Sequence, residues 1–135
     1  SKKINEILKI NKLSKKVILH GTVPQSKLEK LYSNSDFYIS TSKYEGFGMS
    51  LAHAVISDIP IISFKTCTIQ NTIGNYGVLY FDNFKKNTLK KIIINNCFDK
   101  NKYKVLKKNI NKNNNYLTNK ESAKLFTKTI YNAQI

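Results

Sequence analysis

The sequence has no arginine and no tryptophan, a single methionine (Met49), two prolines, two cysteines and only eight acidic residues. Without arginine there is no planar guanidinium fork to grip a phosphate or a guanine edge at two points. That argues against a sequence-specific nucleic-acid reader. Cys67 and Cys97 form no CxxC pair, which argues against a disulfide framework and leaves no metal-ligand pattern. A reducing, cytoplasmic setting follows from that cysteine usage. No apolar run reaches the roughly 20 residues of a membrane-spanning helix, and the first residues do not read as a signal peptide. The first residue is Ser1 rather than an initiator methionine, so the chain reads as a piece of a longer or processed protein.

What the sequence has in quantity is lysine. All 23 basic residues are Lys, giving a net charge of +15 over 135 residues. Asn, Ile and Tyr are also abundant, as an A/T-biased coding sequence would give. The charge therefore speaks first to coding bias and solubility. Attraction to an anionic substrate, or peripheral contact with an anionic inner-leaflet membrane surface, is the second reading. A hydrophobic content of 41% suffices for one compact domain and is too high for a disordered chain.

Apolar spacing divides the chain into short elements. Ile4, Ile7 and Leu8 form a helical stripe ending near Asn11-Lys12. Val17 to Leu19 reads as a short strand closed by His20-Gly21. Ser26-Lys27-Leu28-Glu29 has capping-box spacing, which starts a helix running to about Ser33. Phe37 to Thr41 reads as a strand, Gly48 to Ser57 as a helix, and Ile59 to Phe64 as a strand with Pro60 at its start. Lys65 to Asn75 reads as a loop with a short helical turn, and Gly77 to Phe81 as a fourth strand. Leu89, Ile92 and Ile93 mark a further helix, as do Tyr103, Leu106 and Ile110. Thr118 to Glu121 repeats the capping-box spacing before a last helix carrying Leu125, Phe126, Thr129 and Ile130. Short apolar strands alternating with helices specify an α/β domain with a parallel, Rossmann-like sheet and flanking helices. The whole chain, 1–135, is one domain of this kind, with C-terminal helices over about 101–133.

The segment from Ser42 to Phe64 draws most attention. A strand end leads through Glu45-Gly46-Phe47-Gly48 into a helix rich in Met49, Leu51, Ala52, Ala54, Val55 and Ile56. Such a helix is expected to be largely buried. Its polar residues Ser50, His53 and Ser57 share one face. The first amides of a helix have no partner within it, so this entrance suits an anionic group. Gly46 and Gly48 tolerate positive φ and close approach of a ligand; they serve a tight turn as well as they serve a ligand loop. Taken singly, Glu45 reads as a solvated loop carboxylate and His53 as a partly exposed surface histidine. Lys43 and Lys65 read as solvated.

The run Tyr44-Glu45-Gly46-Phe47-Gly48-Met49-Ser50-Leu51-Ala52-His53-Ala54 resembles the nucleotide-sugar loop of retaining glycosyltransferases with the two-Rossmann-domain GT-B fold, of the group 1, family 4 type. Bacterial mannosyl-, galactosyl- and glucosyltransferases of surface polysaccharide assembly belong to that group. The likeness extends from about Val17 to Ile94. His20-Gly21-Thr22-Val23-Pro24 with Leu28 and Leu31-Tyr32 is similar to the family's preceding strand, loop and helix. Asp36 to Ser42, Ile59-Pro60-Ile61-Ile62 and Gly74 to Asp82 are similar to the segments that follow. The resemblance implies that Glu45 faces the donor sugar, as the catalytic carboxylate. It also implies that Gly46, Phe47, Gly48, Met49 and Ser50 contact the donor sugar or diphosphate through their backbone, and that no metal or other cofactor takes part.

Two positions depart from the family pattern. His53 stands where a second Glu normally binds the ribose, and Asn71 where a Glu is common. The family's first strands, with an Arg and a Lys that grip the diphosphate, and its acceptor domain have no counterpart in the sequence. The resemblance therefore implies the C-terminal, donor-binding part of a longer enzyme whose N-terminal acceptor domain is its partner, and a piece that is inactive by itself. The strands at Val17 and Phe37 are then expected to become neighbours. The expected activity is sugar transfer from a nucleotide-sugar to a glycan or lipid-linked acceptor. A donor-binding domain without turnover is the alternative; a basic module that stacks single-stranded nucleic acid on its aromatics ranks below both, since most of those aromatics fall at core-like positions.

Overall fold

The computed structural model describes residues 2–46, 48–85 and 87–112. Its elements, in chain order, are α1 (Lys2–Ile10), α2 (Gln25–Ser33), β1 (Tyr38–Ser40), α3 (Met49–Ile56), β2 (Ile61–Phe64), α4 (Cys67–Ile73), β3 (Val78–Phe81), α5 (Thr88–Cys97) and α6 (Lys100–Ile110). The three strands form one parallel sheet in the order β1-β2-β3. Tyr38 pairs with Ile61 and Ile61 with Val78, so the register runs straight across. The α/β class with a parallel sheet and flanking helices is as the alternation of elements predicts. The second capping-box segment and the last helix lie outside the described residues.

Strand β2 is central, and Ile61, Ile62 and Ser63 are all fully buried. A strand covered on both faces reads as a continuous apolar run rather than an alternating one. The core gathers Leu51, Ala54 and Val55 of α3, Ile59 and Ile61, Ile69 and Ile73 of α4, Val78, and Ile110 from the end of α6. Local chemistry fixes where the helices stop and start. The amide of Ile59 donates to the Ala54 carbonyl at 2.9 Å and that of Asp58 to Val55 at 2.9 Å, with Asp58 at φ 56°. This is a Schellman stop, and it turns the chain directly into β2. Helix α1 ends the same way, through Leu13 to Leu8 at 2.8 Å with Lys12 at φ 55°. The Thr66 hydroxyl caps α4 by accepting from the Ile69 amide, and the Asp99 carboxylate caps α6 by accepting from Asn101 and Lys102.

Four expectations are corrected. Val17 to Leu19 is not a strand and does not neighbour Phe37. The Val17 amide is drawn into a turn, donating to the Leu13 carbonyl at 3.1 Å, and Ile18 is 75% exposed. With its amide committed and no apolar face to cover, the segment gains nothing from a ladder. The capping box at Ser26 does not form either. Pro24 precedes the helix, its φ already at −60°, and its carbonyl accepts from Lys27 and Leu28. Glu29 instead accepts from the Gln25 side chain at 3.1 Å. Helix α3 is less enclosed than its composition suggests, since Met49 and Ile56 are 60% and 59% exposed. They lie on the same outward stripe as His53. Finally, the strand ending at Phe81 is the third among the described residues, not the fourth.

Candidate functional site

The carboxyl ends of parallel strands are where open α/β sheets receive ligands. Here a cleft of about 360 Å³ opens at the ends of β1 and β2, lined by Lys43, Tyr44, Glu45 and Gly46 from the loop after β1 and by Thr66 and Thr68 from the start of α4. That volume lies in the range of small-molecule sites. Glu45 is half-buried in this wall, whereas Tyr44 stands almost wholly in solvent.

The two glycines divide the work that the sequence left open between them. Gly48 adopts φ 73°, is buried, and forms the N-cap of α3. A β-carbon there would come within 3.2 Å of the Leu51 side chain. Gly48 therefore makes the turn. Gly46 has ordinary φ, and a β-carbon on it would meet nothing within 4 Å. The turn does not require glycine at 46, and Gly46 lines the cleft. Replacing Gly46 by alanine is expected to leave the melting temperature within about 2 °C of the original, since surface changes cost little. The same change weakens any ligand that approaches the loop backbone; calorimetric titration beside a thermal melt separates the two effects.

Beyond Gly48, the Leu51 and Ala52 amides both turn back onto the Gly48 carbonyl, at 2.9 and 3.0 Å. Among the described residues, the amides of Met49 and Ser50 have no acceptor. These are the unpartnered donors expected of a helix entrance. The Ser50 carbonyl accepts from the Tyr32 hydroxyl at 3.0 Å, which ties α2 to the opening turn of α3. Burial, with the Tyr38 hydroxyl beside it adding to the effect, pushes Tyr32 up to about 12, so it remains a donor at neutral pH. Tyr80 is likewise pushed up to about 12 by burial and donates to the Gly74 carbonyl at the end of α4.

The expected site residues thus fall into two sets. Glu45 and Gly46 line the cleft, and Met49 and Ser50 supply free amides at the start of α3. His53 lies one turn further along, stacked on Tyr32 with ring centres 5.9 Å apart. Tyr32 in turn stacks on Tyr38 at 5.7 Å. His53 is half-buried in that array and does not line the cleft. Asn71 is exposed on α4. Phe47 lies outside the described residues. Thr66 and Thr68 were not expected at the site; only the pairing of β1 with β2 brings their loop beside Glu45.

Among the described residues no helix is long and apolar enough to cross a membrane. The family model described as "Glycosyl transferases group 1" matches residues 1–113. No curated protein matches the chain.

Proposed function

Because the chain belongs to the group 1 glycosyl transferases, we propose that its cleft receives a nucleotide-sugar and that the reaction it serves is retaining transfer of that sugar to a glycan or lipid-linked acceptor. Surface polysaccharide assembly is the setting such an acceptor suits, on the cytoplasmic side and in peripheral contact with the inner leaflet. The observation that carries this reading is the half-buried Glu45 carboxylate beside a glycine that the backbone does not need, at the carboxyl end of the sheet.

In this reading Glu45 faces the donor sugar. It accepts hydrogen bonds from sugar hydroxyls and offsets the positive charge that grows on the sugar as the bond to the diphosphate breaks. The amides of Met49 and Ser50, at the positive end of the α3 dipole, receive the departing diphosphate. Donors fixed before the reaction stabilise such charge without reorganising, which is the main way a protein lowers this kind of barrier. Gly46 keeps the loop thin enough for the donor to approach the backbone, and the main chain of Phe47 and Gly48 contacts the donor beside it. His53 offers one imidazole acceptor to the ribose hydroxyls, where a carboxylate would offer two oxygens.

The test is titration of the chain with nucleotide-sugars and nucleoside diphosphates, with release of diphosphate assayed once an acceptor-binding domain is supplied. Saturable binding is expected, and its absence for every donor tried would remove the reading. His53→Ala is expected to weaken donor binding by about 1 kcal/mol, the worth of one ordinary hydrogen bond. Unchanged affinity would take the ribose role from His53. Donor binding without turnover is the second reading, favoured by the engagement of His53 with Tyr32 rather than with the cleft.

A further inference from the structure

Lys43 reads from the sequence as a solvated side chain. In the structure its ammonium lies 5.1 Å from the centre of the Phe84 ring. Phe84 follows β3, and its ring is stacked on Phe64 at 4.8 Å and meets Phe81 edge-on at 5.4 Å. Phe81 is buried, so the group is anchored in the core, while Phe84 is 46% exposed and turns a face outward. The lysine stem thus bridges the loop after β1 to the loop after β3, and its charge is held at a cleft wall. Among the described residues Lys43 makes no ion pair; the ring is its partner.

A cation held over a ring meets no conventional acceptor there, so it keeps N–H donors on its outer side for an anion. Of the described residues that line the cleft, Lys43 alone is cationic and Glu45 alone is anionic. With no arginine in the sequence, every permanently charged basic side chain is a lysine. We propose that Lys43, seated on Phe84, is a phosphate-binding residue of the cleft, and that Phe84 is its positioning residue. The inference rests on the nucleotide-sugar reading and adds to it a side chain for the anionic half of the donor. The cleft then has two chemical ends: an ammonium for phosphate oxygens and a carboxylate for hydroxyls. A diphosphate ester of a sugar carries both.

The experiment uses the 135-residue chain, with UDP, GDP, ADP, the matching nucleosides and inorganic pyrophosphate as probes, read by calorimetry beside a thermal melt. Lys43→Met is expected to weaken the diphosphate that binds best by about tenfold, the scale of one charge-assisted hydrogen bond. Weak binding of the matching nucleoside should stay within about twofold, since it carries no charge for the ammonium to meet. Lys43→Arg should restore most of the loss. Phe84→Leu should weaken diphosphate binding by about threefold, in line with a modest cation–π contribution, and Phe84→Tyr should recover it. The lost selectivity for phosphate separates a binding role from a structural one.

If Lys43→Met binds diphosphate as the original chain does, while Gly46→Ala weakens it, the inference falls and the donor reading stands. If nucleoside and diphosphate weaken equally together with a lowered melting temperature, Lys43 is structural and the inference also falls. If no probe binds the original chain, the inference and the reading beneath it fall together.

Discussion

Gly77→Ala is expected to destabilise the domain by about 3–4 kcal/mol, against a total of some 5–15 kcal/mol for an ordinary domain. Two effects combine. Gly77 has φ 69°, a conformation that costs a residue with a β-carbon about 1–2 kcal/mol. A β-carbon there would also lie 2.6 Å from the Ile110 backbone nitrogen and 2.7 Å from its α-carbon. Backbone cannot swing aside as a flexible side chain can, and overpacking of this kind typically costs about 1–3 kcal/mol. The strain falls where it does most harm. The Gly77 carbonyl accepts from the Ile61 amide at the start of β2, and Ile110 is fully buried in the core. Helix α6 must lift away, or the head of β3 must shift. The melting temperature should fall by more than about 10 °C, given a few degrees per kcal/mol in a domain of this size. Gly21→Ala is the control. Gly21 has φ 61° but open space around it, so it should show only the conformational cost of about 1 kcal/mol. Equal effects at the two sites would mean that the close contact with Ile110 contributes nothing.

Glu45→Gln is expected to lower turnover by about 10²–10³-fold, comparable to removing one fixed electrostatic stabiliser elsewhere in catalysis. Donor affinity should change by less than about threefold, because the amide oxygen of Gln still accepts from a sugar hydroxyl. What the substitution removes is the negative charge, and that charge matters most when the sugar carries positive charge in the transition state. The measurement is release of nucleoside diphosphate from a nucleotide-sugar at saturating donor, with donor Kd determined separately. A fall in kcat at constant Kd identifies an interaction made in the transition state, whereas a raised Kd and KM at unchanged kcat identify uniform binding. Unaltered turnover would take Glu45 out of the chemistry. Because Glu45 is only half-buried in a loop, neither form should change the fold.

The features visible in the sequence are those set by short-range chemistry. Strand β2 announces itself as Ile59-Pro60-Ile61-Ile62 because a central parallel strand is apolar on both faces. The turn into α3 is visible because a left-handed N-cap requires the glycine found at 48. The stop after α3 could be read from Asp58 for the same reason. What the sequence concealed depends on residues far apart along the chain. Val17-Ile18-Leu19 has the composition of a strand, but a strand exists only where an edge is offered, and a turn had already taken the Val17 amide. Ser26 and Glu29 have the right spacing for a cap, but Pro24 starts the helix sooner. The site shows the same divide. Glu45 and its glycines could be read locally. The presence of Thr66 and Thr68 opposite them, the seat of Lys43 on Phe84, and the packing of His53 on Tyr32 all require the folded sheet or the docking of α2.

The cleft walls are the loop after β1 and the start of α4, while the strand beneath them is sealed on both faces. Residues 43–46 can therefore be exchanged with little penalty to the scaffold, whereas Thr66 is held by its cap on α4. A lineage built on this plan is free to change what its cleft accepts by drift in a few exposed letters, leaving the hydrophobic interior to be inherited unchanged.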